Sequence, residues 1–362
     1  MIEASLYHNV YLAIVALLTV FVNSFYATAA GRQRVGSVFY TRLAFLIAVL
    51  MAVFIGLRPQ SGRYFVDMAG YYAFYNLQFG EPMEFDWHTT NIIFDNMFLF
   101  MASKQIPVQF FFLLMAALNF MCTFFACRKL FPNDTFLAFI VFLAAFSTFS
   151  YATNGLKAGT SAALFLLAIA YRDKIALAIL FVLISYGFHH SMQLPAVAFF
   201  IVLLFRNPNF YFLIWVGSLL LSILHVTFFQ DLFAGMTDAQ GAGYLNFEMT
   251  EHWASVIRFR PDFVLYSSVP VIIGYRMVNV HRVRSKMYDF ILNMYLLTNS
   301  VWMLCMYATF TNRIAYLSWF IYPIVLIYPF LENRWGINQY KILRIVVYGH
   351  LAFTLFMQFI YY

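Results

Sequence analysis

The stretch Phe136-Leu-Ala-Phe-Ile-Val-Phe-Leu-Ala-Ala-Phe-Ser-Thr-Phe149 decides the fold class of this chain. It contains no Asp, Glu, Lys or Arg, and neither does a second apolar block from Phe210 to Phe229. Transmembrane β-strands alternate apolar and polar residues, which these blocks do not. A helix satisfies all of its backbone hydrogen bonds internally, as a continuous apolar segment in lipid requires. The two blocks therefore predict transmembrane helices.

The composition of the whole chain agrees with this prediction. Of its 362 residues, 63% are hydrophobic and 10% are charged, whereas a soluble domain has about 45–50% apolar and about 25% charged residues. This excludes a soluble protein. At about 20 residues per helical span, we predict an all-α polytopic integral membrane protein with about 12 transmembrane helices (11–13), forming a single transmembrane domain over 1–362 with a GT-C-like fold. The predicted spans are 9–30, 43–57, 107–127, 135–151, 155–171, 175–188, 192–205, 210–229, 262–280, 287–308, 314–331 and 342–361.

Several functional classes are not supported by the sequence. It contains no Gly-x4-Gly-Lys, His-Glu-x-x-His or Cys-x-x-Cys motif. The sequence therefore does not support an ATP-driven pump or a zinc protease. The net charge of +7 is what topogenic Lys and Arg give a membrane protein, so no nucleic-acid partner is predicted. No cofactor and no metal site are predicted either.

The charged residues are distributed asymmetrically over the predicted loops. Most Lys and Arg, such as Arg32, Arg128 and Arg284, fall in alternate short loops, and most Asp and Glu fall in the others. By the positive-inside rule, the basic side is cytoplasmic. Two longer segments, 58–106 with short interfacial helices and 230–261, are then extracytoplasmic. Any chemistry is expected on that outer face.

The first polar cluster on the outer face directly follows the second predicted span. It reads Arg58-Pro-Gln-Ser-Gly-Arg63-Tyr64-Phe-Val-Asp67-Met-Ala-Gly-Tyr71-Tyr72. The Pro and Gly end the preceding helix, and Asp67 and Tyr71 then share one face of a short new helix. The alternative interpretation is a surface helix within an interfacial tyrosine belt.

Three further outer turns each supply a polar group. Lys157 falls in the first turn of a helix, where a cation opposes the helix dipole and needs an anionic partner; the alternative is snorkelling to the interface. His189 and His190 follow a short span, and on a helix they point about 100° apart, so that one of them faces a site. Arg313 and Tyr316 share a face at the start of a late span.

In order, these motifs resemble the EpsG family of Wzy-type polysaccharide polymerases. The resemblance covers residues 58 to about 330 and consists of Arg with Gly-x4-Asp-x3-Tyr, a basic residue opening a span, Phe-His-x-Ser with a downstream Pro195, and Arg-x-x-Tyr. The sequence departs from the family pattern at Lys157, where Arg is usual and is often followed by Gln, and in the shorter spacing from His189 to Pro195.

The resemblance implies a glycosyltransferase in the bacterial cytoplasmic (inner) membrane, with its active site facing the periplasm or outside. Such a polymerase joins undecaprenyl-diphosphate-linked oligosaccharide repeat units. The implied partners are the lipid-linked glycan, membrane lipids and a chain-length regulator protein.

The resemblance and the residue chemistry together assign candidate roles. A diphosphate leaving group needs cations, and an accepting hydroxyl needs a base. We expect Arg58 to be an interfacial residue without a packing role, so that its removal abolishes chain extension at normal protein levels. The predicted catalytic residues are His189, chosen over His190 for its His-x-Ser match, Asp67, Arg58 and Arg313. The predicted diphosphate-binding residues are Arg58, Arg63, Lys157 and Arg313. The predicted glycan-binding residues are Tyr64, Tyr71, Tyr72, Trp87 and Tyr316.

Two other classes remain open at this stage. A lipid-linked oligosaccharide flippase or transporter would typically have repeated halves and ionisable groups at mid-membrane, and we find no such self-similarity. A membrane O-acyltransferase acting on glycans could use His189 as its base. A coenzyme A thioester donor would, however, need a cytoplasmic entrance that the short inner loops do not obviously provide.

Overall fold

The fold was analysed in a computed structural model that describes residues 2–234, 259–308, 310–332 and 334–361. The described residues are 77% helical and contain no strand, which confirms the predicted all-α class. The α-helices are α1 (Tyr7–Phe25), α2 (Ala29–Val35), α3 (Val38–Gly56), α4 (Val66–Leu77), α5 (Ile92–Ser103), α6 (Val108–Leu130), α7 (Thr135–Leu143), α8 (Thr148–Thr153), α9 (Leu156–Ala170), α10 (Ile175–Phe188), α11 (Gln193–Leu204), α12 (Pro208–Ile223), α13 (Phe228–Ala234), α14 (Pro261–Tyr275), α15 (Lys286–Leu304), α16 (Thr311–Trp319), α17 (Tyr322–Leu331) and α18 (Gln339–Phe356).

Six helical segments in the described part of the chain are long and apolar enough to cross a membrane. These are Ala4–Phe25, Val38–Gly56, Val108–Leu130, Pro261–Val280, Thr311–Leu331 and Gln339–Phe359. Five further apolar helices have 10–17 residues and are shorter than a full span. The count of about 12 transmembrane helices and the GT-C-like fold therefore stay predictions.

The chain divides into two compact units. The first comprises Met1–Gln193 and Phe330–Tyr362, and the second comprises Leu194–Pro329. In the first unit, α3, α6, α9 and α10 pack one against the next, α5 packs on α10, and α1 packs on α7 and α18. The prediction of a single transmembrane domain stays a prediction.

In the second unit, α12 and α16 pack on α15. One buried amide joins several of its helices. The Asn299 side chain accepts a hydrogen bond from Trp215 Nε1 at 2.8 Å and donates to the hydroxyls of Ser267 and Ser318 at 3.1 and 2.9 Å. A fully bonded polar group of this kind holds apolar helices in one register.

The prediction of one continuous helix over 135–151 is wrong, because the helix is interrupted between the end of α7 at Leu143 and the start of α8 at Thr148. Thr148 donates from its own hydroxyl to the Phe142 carbonyl at 2.6 Å. The next two carbonyls, of Leu143 and Ala144, accept from the hydroxyls of Tyr11 and Thr354 at 2.7 and 2.8 Å. Side chains from α1 and α18 thus replace the helical hydrogen bonds that the break removes.

The two segments predicted as long outer loops have different outcomes. Residues 58–106 contain two helices, α4 and α5, each of 12 residues. Most of 230–261 lies outside the described residues. Which side of the membrane either segment faces stays a prediction.

Candidate functional site

Arg58 is deeply buried just after the end of α3, with 3% of its surface exposed. Its guanidinium donates to the carbonyls of Ile55 at 2.8 Å and Thr153 at 2.7 Å. The group also lies 5.3 Å from the ring centres of both Phe65 and Phe112. Burial lowers the pKa of Arg58 to about 10, so that it still carries its charge at neutral pH.

The expectation that Arg58 has no packing role is therefore wrong. The guanidinium ties the end of α3 to the end of α8, directly before the turn that leads to Lys157. Its Nε has no hydrogen-bond partner among the described residues, and an unpaired donor of a buried cation is costly. Its role as a diphosphate ligand stays a prediction.

Lys157 has the anionic partner that its position in the first turn of α9 requires. Its Nζ lies 2.6 Å from Asp95 Oδ1, and about a quarter of each side chain is exposed (24% and 26%). The other oxygen of Asp95 accepts a short hydrogen bond from the Thr89 hydroxyl. The Lys157 ammonium also lies 4.8 Å from the ring centre of Phe94.

Gly159 explains why α9 can begin so close to α8. A Cβ at this position would lie 2.4 Å from the carbonyl oxygen of Tyr151 and 2.9 Å from Asn119 Nδ2. Neither distance is compatible with a side chain, because the nearer atom is backbone. Gly159 therefore allows α9 to start against α8, and this close packing sets the position of the Lys157 ammonium.

His190 is held by Asn91, the residue that immediately precedes α5. Asn91 Oδ1 accepts from the backbone N–H of His190 at 3.1 Å and lies 3.2 Å from Nδ1 of its ring. Because the backbone N–H can only donate, the contacting amide atom is the oxygen, and Nδ1 must then carry the ring proton. In the neutral imidazole, the lone pair is on Nε2.

His189 has the opposite tautomer in its neutral form. Its Nδ1 accepts from the backbone N–H of Ser191 at 3.1 Å, which places its ring proton on Nε2. The two imidazole rings are stacked, with centroids 4.9 Å apart. The predicted 100° separation is wrong because His189 has an extended backbone (φ −154°, ψ 120°) and starts a 3₁₀ turn.

Gly187 brings the histidine turn against α5. A Cβ at Gly187 would lie 2.6 Å from Cδ1 and 2.7 Å from Cγ1 of Ile93. Without a side chain here, α10 can approach α5 at the residue that lies two positions beyond Asn91. The Gly-Phe-His-His sequence thus positions both imidazoles beside the start of α5.

Asn91 and Asp95 are therefore one helical turn apart, and they hold His190 and Lys157 respectively. We call these four residues the α5 cluster. Sequence reasoning missed Asn91 and Asp95, although Asn is a favoured residue at a helix start. Nothing in the sequence indicates which distant side chains they contact.

The other predicted site residues of the first unit differ in how close they lie to this cluster. Tyr71 is near, with its ring centre 5.8 Å from that of Phe94. Asp67 is partly buried and makes no hydrogen bond or ion pair among the described residues. Trp87 is 74% exposed and its ring centre lies 4.5 Å from that of Phe85. The remaining three, which make no hydrogen bond or ion pair with the α5 cluster in the described part of the chain, are Arg63, Tyr64 and Tyr72.

Arg313 and Tyr316 belong to the second unit. Arg313 is exposed on α16 and its guanidinium lies 4.9 Å from the ring centre of Phe310. Tyr316 is buried, with its ring centre 5.5 Å from that of Trp319.

A comparison with known families covers all of these residues. The EpsG family profile matches residues 41–362. This chain belongs to the EpsG family. EpsG is a Wzy-type polymerase family, so the family predicted from the motifs is confirmed. No curated protein and no solved structure matches the chain significantly.

EpsG membership suggests a membrane polysaccharide polymerase and is consistent with chemistry of the glycosyltransferase type. The α5 cluster provides two groups that such chemistry needs. Lys157 is a partly exposed cation, and His190 is an imidazole whose tautomer is fixed by an amide. A cation can stabilise a departing phosphate, and an imidazole can take a proton from a hydroxyl.

Proposed function

We propose that this EpsG protein is a polysaccharide polymerase that joins undecaprenyl-diphosphate-linked oligosaccharide repeat units on the extracytoplasmic face of the membrane. The observation that carries the proposal is the α5 cluster, in which one short helix start holds a lysine and an imidazole. Family membership supports the reaction class, and the α5 cluster supports the location that we propose for the reaction.

In the proposed reaction, a sugar hydroxyl of one repeat unit attacks the anomeric carbon of the glycan carried by another. A new glycosidic C–O bond forms as the bond from that carbon to the diphosphate oxygen breaks. The hydroxyl proton goes to a base, and undecaprenyl diphosphate leaves. The polymer therefore grows by one transfer per turnover.

Lys157 is proposed to stabilise the leaving diphosphate. Its contact with Asp95 is no obstacle, because partly exposed ion pairs contribute only about 0–1 kcal/mol. A diphosphate carries more negative charge than one carboxylate and can take the place of Asp95. Arg58 adds fixed positive charge nearby through its bond to Thr153, and Arg63 and Arg313 are further proposed ligands.

The two imidazoles are proposed to have different roles toward the acceptor sugar hydroxyl. His190 has its lone pair on Nε2 and is the better placed base, because Asn91 occupies its other nitrogen. His189 has a proton on Nε2, so that it can orient the acceptor by donating a hydrogen bond. Asp67 remains the alternative base.

Exposed aromatic rings support glycan binding. Sugar rings stack on aromatic faces, and Tyr64 and Trp87 are 44% and 74% exposed. Tyr71, Tyr72 and Tyr316 are proposed as further contacts.

Deletion of the gene tests the proposed function in cells. A polymerase null should leave single repeat units on the lipid carrier or core and no long surface glycan. Long polymers with missing acyl groups would instead favour an O-acyltransferase, and repeat units trapped on the inner leaflet would favour a flippase.

A further inference from the structure

A cavity of about 790 Å³ lies in the first unit, between α2 and the segment that leads into α18. Its lining includes Ala29, Arg32, Arg334, Trp335, Gln339 and Tyr340. The volume is in the range of small-ligand sites, about 300–1,000 Å³. None of these residues belongs to the α5 cluster or to the predicted site.

Two basic side chains line the cavity. Arg32 and Arg334 line it, and neither has a carboxylate oxygen within 4.0 Å in the part of the chain that the structure describes. Two acidic residues lie near the arginines but outside the lining: Asp134 interacts electrostatically with Arg32 and with Glu332, and it accepts a short hydrogen bond from the Tyr26 hydroxyl. The lining itself contains no acidic side chain.

Arg32 is preorganised for an anion. Its guanidinium stacks 4.0 Å from the ring centre of Tyr340, and one terminal nitrogen donates to the Tyr26 carbonyl at 3.4 Å. A guanidinium held flat in this way loses little freedom when it binds two oxygens of one phosphate.

The lining of the cavity also contains large apolar side chains. Ile337 lines it and is fully exposed, while Trp335 is partly buried against the ring of Phe330, with centroids 5.6 Å apart. An exposed aliphatic side chain beside an indole and two arginines matches an amphiphile that has an anionic head and an acyl chain. A free phosphate would use the arginines alone.

We propose that this cavity binds the phosphate headgroup of an anionic phospholipid, with Arg32 and Arg334 on the phosphate and Ile337 beside the acyl chains. Basic pockets beside membrane helices bind anionic headgroups through these contacts. The site goes beyond the proposed polymerase reaction and does not depend on it.

The test is native mass spectrometry of the purified full chain with phosphatidylglycerol or phosphatidylcholine added at equal concentration. The double variant Arg32→Gln/Arg334→Gln should lose about tenfold or more of its phosphatidylglycerol affinity, with phosphatidylcholine binding unchanged. The matched control is Arg34→Gln/Lys341→Gln. It removes one exposed charge from α2 and one from the start of α18, both outside the lining, and should stay within twofold of wild type.

Equal losses in the two double variants would show attraction by net charge alone and would overturn the proposal, as would no loss in either. Displacement of phosphatidylglycerol by an equal concentration of glycerol 3-phosphate would overturn the lipid assignment in favour of a free-phosphate site. If the double variant fails to elute as a folded species, Arg32→Lys provides the test. It keeps the charge but loses the planar fork, so it should weaken phosphatidylglycerol binding severalfold; an unchanged affinity would contradict the site.

Discussion

Asn91 and His190 are joined twice, since the same amide oxygen accepts from the His190 backbone N–H at 3.1 Å and lies 3.2 Å from its ring Nδ1. The amide therefore fixes both the position and the tautomer of the imidazole. If His190 is the base, Asn91 is a positioning residue, and its removal affects turnover more than substrate binding.

We expect Asn91→Ala to lower kcat about 10 to 100-fold with little change in KM, because a small displacement of a catalytic group has an effect of this size. Asn91→Asp should retain more activity, since its oxygen still accepts. The acid limb of the pH–rate profile of Asn91→Asp should move to higher pH, because a carboxylate stabilises the protonated imidazole. The pH–rate profiles of purified variants measure both effects. Asn76→Ala, at an exposed asparagine of α4, is the control, and equal losses in Asn76→Ala and Asn91→Ala would contradict the role of Asn91.

Substitution of His189 and His190 separates the two imidazoles. If the tautomers assign the roles, His190→Gln should lose turnover by about 100-fold or more, whereas His189→Gln should mainly raise KM for the acceptor. Initial rates at varied acceptor concentration measure this difference. A fall in kcat confined to His189→Gln would restore His189 as the base predicted from the sequence. Near-normal turnover in both variants would move proton removal to Asp67 or to solvent.

The Lys157–Asp95 pair predicts opposite effects for its two members. Asp95→Asn should tighten binding of inorganic diphosphate several-fold because it removes a competing anion, while Lys157→Gln should weaken it. Binding is measured calorimetrically at fixed pH and ionic strength, since partly exposed charges are screened by salt. If Asp95→Asn weakens binding as much as Lys157→Gln does, the pair is a structural unit and not a diphosphate site.

Gly187→Ala should destabilise the protein by about 1–3 kcal/mol, because its Cβ overlaps Cγ1 and Cδ1 of Ile93. In an Ile93→Ala background the same Gly187→Ala change should cost much less, since only the Ile93 Cβ, at 3.5 Å, would remain near the new methyl group. Thermal unfolding in detergent measures both. Gly217→Ala is the control, because a Cβ there meets nothing within 4 Å and a helical alanine is expected to be neutral or stabilising. An equal loss of stability from Gly187→Ala in the wild-type and Ile93→Ala backgrounds would contradict the packing argument.

Arg58→Ala should lower the free energy of unfolding by about 2–4 kcal/mol, because the Thr153 carbonyl loses its donor and two aromatic rings lose their neighbour. Arg63→Ala and Arg313→Ala should leave stability unchanged, since both side chains are exposed. Arg313→Ala should still abolish chain extension if Arg313 binds diphosphate. Unfolding curves and glycan gels of the three variants test this, and equal stability of all three would contradict the packing role of Arg58.

The sequence predicted the helical class and the family. For Lys157 it left an anionic partner and snorkelling open, and the structure supplies the anionic partner. Apolar composition and short-range spacing are sufficient for such predictions, because they depend on residues close in the chain. The identity of the anion depended on a contact between α9 and α5, which no local pattern indicates. The sequence analysis placed Asp95 only within the predicted extracytoplasmic segment 58–106.

The break between α7 and α8 could not be predicted for the same reason. Residues 144–147 contain neither Gly nor Pro, the usual signals of a helix end. The break is stabilised by Tyr11 and Thr354, which are distant in sequence from the carbonyls that they contact. The prediction for the histidine pair was wrong for a different reason. The 100° separation of the two side chains assumed that both residues are helical, whereas His189 has an extended backbone.

The central claim is tested most directly by supplying the purified protein, reconstituted in liposomes, with undecaprenyl-diphosphate-linked repeat units and measuring glycan length and released undecaprenyl diphosphate together. The proposed reaction predicts a ladder of polymers with one undecaprenyl diphosphate released per bond formed, and loss of both products in Lys157→Gln and His190→Gln. Movement of repeat units across the bilayer without any new glycosidic bond would contradict it.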